Sequence, residues 1–152
     1  MSWEGQMSLK GSHIFVIEDN LNNLSILMTI LNRNEAVVSF DQWKLDTKAH
    51  LLRSLPIHVI LLDLMLAKGM TGYEVFDELR AAPLLAKIPI VAVTASDPGR
   101  EIERARMKGF DGFISAPFRS TTFCSHISAI IRGEKVFLPP DIESSSPAQI
   151  GR

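Results

Sequence analysis

Apolar residues in this chain fall into two alternating patterns. Short unbroken runs occupy 13–17, 36–40, 59–62, 89–94 and 112–115, each bounded by polar or turn residues. Apolar runs of this length are the pattern of strands buried on both faces. Between them, apolar residues recur at helical spacing. Leu24, Leu27, Met28 and Leu31 stand at i, i+3, i+4 and i+7 behind Asn20, a good helix N-cap. A weaker helix over about 45–55 precedes Pro56. Thr71-Gly72-Tyr73-Glu74 fits the capping box, and Val75, Phe76 and Leu79 follow it before Pro83. Asp97-Pro98 opens a fourth helix that Gly109 closes. Phe123, Ile127, Ile130 and Ile131 stripe a fifth.

Five strands strictly alternating with five helices predict an α/β fold. Its parallel strands are joined by right-handed crossovers, in a doubly wound open sheet with helices on both faces. Residues 1–11 are polar and are expected to be a flexible lead-in. The compact domain is expected over 12–132. Residues 133–152, with Pro139-Pro140 and Ser144-Ser145-Ser146-Pro147, are expected to form a partly disordered surface extension with little to bury.

Composition narrows the function. A chain of 152 residues that is 46% hydrophobic and 22% charged suits one domain with a real core. A net charge of -1 argues against nucleic acid, and no apolar run approaches the roughly 18 residues of a membrane span. Cys124 is the single cysteine, which excludes an internal disulfide. No secretion signal is visible, so the expected compartment is reducing and cytoplasmic. The basic residues at 100, 104, 106 and 108 are interleaved with Glu101 and Glu103, the pattern of a solvated helix face.

Polar residues that interrupt the strands collect at their carboxyl ends: Glu18 and Asp19 on the first, Asp63 on the third, Thr94 and Ser96 on the fourth, Ser115 on the fifth. In a parallel sheet these ends share one edge, where α/β folds place ligands. Asp63 alone could be a turn residue, and Glu18-Asp19-Asn20 could simply cap a helix. Three convergent carboxylates, however, repel one another, and a divalent cation relieves that repulsion. Only oxygen donors are on offer, which favours Mg²⁺ over zinc. A carboxylate beside Mg²⁺ and a hydroxyl suits acceptance of a phosphoryl group.

The motifs Val16-Ile17-Glu18-Asp19-Asn20, Leu61-Leu62-Asp63, Gly72-Tyr73-Glu74-Val75, Pro89 to Ala95, and Asp111 to Ser115 with Pro117-Phe118 together resemble the response-regulator receiver domain over about residues 12–132. The resemblance implies a flavodoxin-like sheet of strand order 2-1-3-4-5. It implies that Asp63 is the phosphoacceptor and that Glu18, Asp19, Asp63 and the backbone carbonyl of Met65 hold Mg²⁺. Thr94 is then the switch hydroxyl and Phe113 the aromatic switch, although an aromatic on the last strand is equally plain core. A sensor histidine kinase or phosphotransfer protein would donate the phosphoryl group. The fourth-helix to fifth-helix face would engage a target protein or a second copy, with no nucleic acid or membrane partner. Such a protein is a Mg²⁺-dependent acceptor rather than a turnover enzyme, and with only a short tail after residue 132 it would signal as a single domain.

Two departures stand out. Receiver domains resemble one another in a lysine directly before the proline after strand five, where this chain has Ala116. The loop 66–72 lacks the usual proline and is one residue longer. It carries Lys68, either a solvated loop lysine or a replacement for the missing charge. The alternative to phosphosignalling is a phosphorylation-independent pseudo-receiver that serves as a binding module. Pro117 is expected to follow a cis peptide, on the resemblance alone.

Overall fold

The computed structural model describes residues 9–94, 98–117 and 120–138. Six strands form one parallel sheet: β1 His13–Ile17, β2 Val37–Asp41, β3 Val59–Leu62, β4 Ile90–Thr94, β5 Gly112–Ser115 and β6 Val136–Leu138. Their order is β2-β1-β3-β4-β5-β6. Five helices connect them: α1 Leu21–Arg33, α2 Thr47–Arg53, α3 Gly72–Ala81, α4 Pro98–Lys108 and α5 Ser120–Ile131. The expected five-strand order is present and is extended by a sixth strand at one edge.

The strands' apolar character follows from burial on both faces, which produces two separate cores. On one face Phe15, Ile17, Ile60, Leu62, Ala92 and Phe113 pack against Leu51 of α2, Tyr73, Phe76 and Leu79 of α3, and Ala105 of α4. On the other, Val16, Leu61, Val91, Val93 and Ile114 meet Leu24, Leu27 and Leu31 of α1 with Phe123 and Ile127 of α5. Alternate residues of each strand serve opposite cores, as the pleat requires. Each such apolar side chain taken from water contributes about 1.5–3 kcal/mol, so the two layers dominate the fold's stability.

Helix starts are set locally. Asn20 Oδ1 accepts the Asn23 N–H at 3.0 Å, and Thr71 with Glu74 forms the capping box that begins α3. Gly109, at φ 113°, ends α4 in the left-handed region that glycine favours. α4 begins at Pro98, whereas Asp97, its expected cap, lies outside the described residues, as do Ser96 and Phe118.

Two terminal expectations need correction. Leu9 lies within the expected lead-in, yet it is 2% exposed, sits in the α1–α5 core, and its N–H donates to Asn34 O at 2.9 Å. Residues 136–138 lie within the expected extension but pair with β5, in the register Gly112↔Val136, Phe113↔Phe137 and Ile114↔Leu138. The physical reason is the free edge of β5, whose backbone groups a short strand satisfies. Gly112 permits the close approach: a Cβ there would meet Val136 O at 3.0 Å and Ile130 Cδ1 at 2.6 Å. β2, read as 36–40, is shifted by one to Val37–Asp41. It is an edge strand with no fully buried residue, so its pattern is weaker.

Candidate functional site

The carboxyl ends of β1, β3 and β4 converge as expected. Ile17 pairs with Leu62, and Asp63 N–H donates to Ile17 O at 3.2 Å, which brings the residues after both strands together. Glu18, Asp63 and Thr94 are 3%, 8% and 5% exposed, all lower than is usual for polar side chains. Asp19, Asp63, Met65 and Thr94 line one cleft of about 590 Å³ together with Asn20, Asn23, Gln42, Leu66 and Ala67. Asp19 and Asp63 therefore face the same space.

Behind the cleft wall, Glu18 and Asp63 share a hydrogen bond, and their surroundings shift the two acids unequally. Burial, the Asp63 hydrogen bond and the Asp63 charge push Glu18 up to about 8. Burial also raises Asp63, though hydrogen bonds from Glu18, Met65 N–H and the Thr94 hydroxyl pull it back. Burial thus favours the protonated form of Glu18 most, with its carboxyl donating to Asp63, whose own hydrogen bonds oppose its rise. Glu18 Oε2 accepts the Asn20 N–H at 3.0 Å, and Met65 N–H donates to Asp63 Oδ1 at 3.1 Å. The helix-cap and acid roles of the first motif are both filled: Asn20 caps α1 while Glu18 turns to Asp63.

The loop after β3 closes the other side. Ala67 N–H donates to Asp19 Oδ2 at 2.5 Å, Met65 bridges Thr71, and Gly72 N–H donates to Leu64 O at 2.9 Å. A Cβ on Gly72 would lie 2.5 Å from Asp63 O and 2.9 Å from Leu64 Cα, both backbone atoms, so only glycine lets α3 start this close to the acid. The loop's added length is taken up by a 3-10 turn, Ala67–Gly69, in which Lys68 and Gly69 both have positive φ. Lys68 itself is exposed and is not among the cleft's lining residues.

Phe113 is fully buried and pairs in register with Ala92, one pleat below Thr94 on the same sheet face. Ser115 pairs with Thr94, and Ala116 N–H donates to Thr94 O at 2.9 Å, tying the turn after β5 to the site. The Ala116–Pro117 peptide is cis, as is Leu55–Pro56. Gln42 and Asn23 in the cleft wall were not singled out by sequence. Their only signal was position, just past a strand end and in the first turn of a helix.

The donor set suits a hard cation in part. Among the described residues no three His, Cys, Asp or Glu side chains converge to hold a metal by themselves. The cleft instead offers the Asp19 and Asp63 carboxylates, oxygen donors of the kind Mg²⁺ takes. Burial, with a smaller part from the neighbouring carboxylates, makes Glu18 and Asp63 weaker acids than usual, and a cation beside them would favour their ionised forms.

Known proteins share this architecture. The receiver domain of the sensor histidine kinase PA1611 from Pseudomonas aeruginosa PAO1, described with a magnesium ion coordinated in its active site cleft, superposes with a TM-score of 0.68 at 22% identity, covering 81% of this chain and 99% of that one. The N-terminal domain of the nisin resistance regulator NsrR, a lantibiotic response regulator, gives a TM-score of 0.68 at 27% identity, over 81% of this chain and 100% of that one. The heme response regulator HssR of Staphylococcus aureus (strain MRSA252) is 26% identical over 117 residues, 77% of this chain and 50% of HssR. The chain thus spans about half the length of the curated relatives it matches. The family model for the response regulator receiver domain matches residues 14–128. With that match laid over the same sheet edge that gathers Glu18, Asp19, Asp63 and Thr94, the chain belongs to the response regulator receiver domain family of two-component signalling.

Proposed function

We propose that Asp63 accepts a phosphoryl group from a sensor histidine kinase or phosphotransfer protein, and that the modified domain signals by protein–protein contact. The observation that supports this most is the buried Glu18–Asp63–Thr94 contact opening into the cleft that Asp19 also lines. An Asp63 oxygen attacks phosphorus; the bond to the donor's imidazole nitrogen or acyl oxygen breaks, and the donor departs with its electron pair. The Thr94 hydroxyl, already directed at Asp63, donates to an oxygen of the transferred group. Asp19, Asp63 and the Met65 carbonyl would hold Mg²⁺, with Glu18 outside them. When bound, Mg²⁺ offsets the negative charge of the carboxylates and of the phosphoryl oxygens. Movement of Thr94 toward the phosphoryl oxygens would pass to Phe113 through the neighbouring strand. Each domain is modified once per transfer, so it acts as a stoichiometric acceptor rather than a turnover enzyme. The output surface is the α4–β5–α5 side, now including β6, engaged by a target protein or a second copy.

The pseudo-receiver reading is favoured by one observation: among the described residues, no Lys or Arg lines the acid cleft. A charge contact of that kind at about 4 Å is worth on the order of 4 kcal/mol at an effective dielectric of roughly 20, before desolvation. One experiment separates the two. The full chain is incubated with Mg²⁺ and a small acyl phosphate and analysed by mass spectrometry. A base-labile adduct on Asp63, absent in Asp63→Asn and reduced by a chelator, supports the acceptor. No adduct and no Mg²⁺ affinity leaves the binding module.

A further inference from the structure

All four residues of β5 are buried, yet in the described sheet a single strand of three residues, β6, lies beyond it. β6 pairs parallel to β5, and Val136 N–H donates to Asp111 O at 3.3 Å. The segment leaves α5 through Gly133, at φ 108°.

The β5 edge receives this segment residue by residue. Asp111 takes Lys135 Nζ at 3.0 Å. Gly112 lets the backbone come close, since a Cβ there would meet Val136 O at 3.0 Å. Val136 packs against the core that holds Ile130. On the opposite face Phe137 packs against the core that holds Phe113, with the Arg106 guanidinium 4.5 Å from its ring centroid. The edge therefore selects a cation, then an apolar residue, then an aromatic one, in an extended segment parallel to β5. Added strands bind in this way: main-chain hydrogen bonds hold them and side-chain places discriminate among them.

The hold on β6 is slight. The Lys135 side chain is 63% exposed, and an exposed ion pair contributes little. Val136 and Phe137 are only partly buried. Such short, half-covered segments open at low cost. The edge beneath cannot be left bare, because Phe113 is 0% exposed and the β5 backbone would lose its partners. Whatever replaces β6 must supply the same contacts.

We propose that the β5 edge is a docking site for an extended partner segment of cation–apolar–aromatic sequence, and that β6 is its built-in competitor. The partner strand takes the place of residues 135–137, pairs its Lys or Arg with Asp111, and sets its ring against Arg106. β6 swings aside at Gly133. Binding needs no modification of Asp63; only its use as the output of a switch rests on the acceptor reading.

The test titrates a capped peptide with the sequence of residues 134–138 into the ¹⁵N-labelled full chain carrying Phe137→Ala. Saturable amide shifts at Arg106, Gly112, Phe113 and Ile114 are expected. The unsubstituted chain should show the same shifts with an apparent affinity lower by about tenfold or more, because its own strand fills the edge. A peptide with alanine in place of the phenylalanine should bind about tenfold more weakly. Should Phe137→Ala fold poorly, Lys135→Ala, which loosens only the Asp111 pair, should still raise peptide affinity about twofold. Absence of saturation, shifts elsewhere, equal affinity for the alanine peptide, or no gain in either variant would overturn the proposal. So would shifts at these amides that grow with protein concentration alone, which would give the edge to a second copy. A second arm adds Mg²⁺ and an acyl phosphate and reads the Asp63 adduct. Adduct without peptide binding refutes the docking site and leaves the acceptor standing. Peptide binding without adduct supports the docking site and refutes the acceptor.

Discussion

Asp63 and Asp111 are the same residue type on opposite ends of one sheet, and their surroundings differ in kind. At the amino end of β5, Asp111 accepts from Arg80 Nη2, from Ile90 N–H and from Lys135 Nζ, each at 3.0 Å. Arg80 is itself held over the Phe76 ring and donates to Ile88 O. Asp111 is a fastening: two cations and a backbone donor hold one carboxylate. At the carboxyl end, Asp63 is more buried, has no cation partner among the described residues, and shares a hydrogen bond with Glu18. Asp41 belongs with the first type: burial works against its ionisation, but hydrogen bonds from His50 and Gln42 and the charge of Lys44 hold it below the usual carboxylate range. What separates an ion-paired acid from a proton-sharing one here is the company it keeps.

The comparison can be broken most sharply with pH. The folded value of Glu18, about 8 against an ordinary 4.5, means that the folded chain keeps a proton that the unfolded chain has released. Stability from this group is therefore complete below about pH 4.5, falls as pH rises, and is lost above about 8. The slope is at most about 1.4 kcal/mol per pH unit. Urea unfolding across that window should show the decline, and saturating Mg²⁺ should flatten it. Asp111→Asn should then cost about 2 kcal/mol by the same measurement, because Arg80 and Lys135 lose a charged acceptor. Asp63→Asn, the identical change at the other edge, should stabilise by about 1 kcal/mol at pH 8 by removing a repelled charge. Equal signs for the two variants would erase the distinction. Lys135→Ala, at an exposed pair, should cost less than about 1 kcal/mol in chemical denaturation. Lys68→Ala, in an exposed loop outside the cleft, should change neither stability nor the rate of Asp63 adduct formation in the acyl phosphate assay.

Much of this was legible in the sequence because buried strands cannot be polar. The runs in β1, β3, β4 and β5 marked the central sheet within a residue, and their first polar successors marked the site. Legibility failed where burial is partial or contacts are distant. β2 is an exposed edge, so nothing in its pattern pins the register. Val136-Phe137-Leu138, flanked by Gly133-Glu134-Lys135 and by prolines, is too short for periodicity. It becomes a strand only because β5 and Gly112 offer it a place. Leu9 is one apolar residue in a polar stretch, and its burial depends on the end of α1. The proton held between Glu18 and Asp63 is a matter of distance and dielectric that no motif records.

β6 also changes who meets whom at the rim. The ring of Phe137 stands in register beside Phe113 and lies under the Arg106 guanidinium at 4.5 Å, while Lys135 reaches Asp111. A visitor approaching the sheet from this side finds an aromatic already roofed by an arginine, and must either extend the sheet by one more strand or peel the outermost one away. The last strand is thus what covers the edge of β5 beside Phe113.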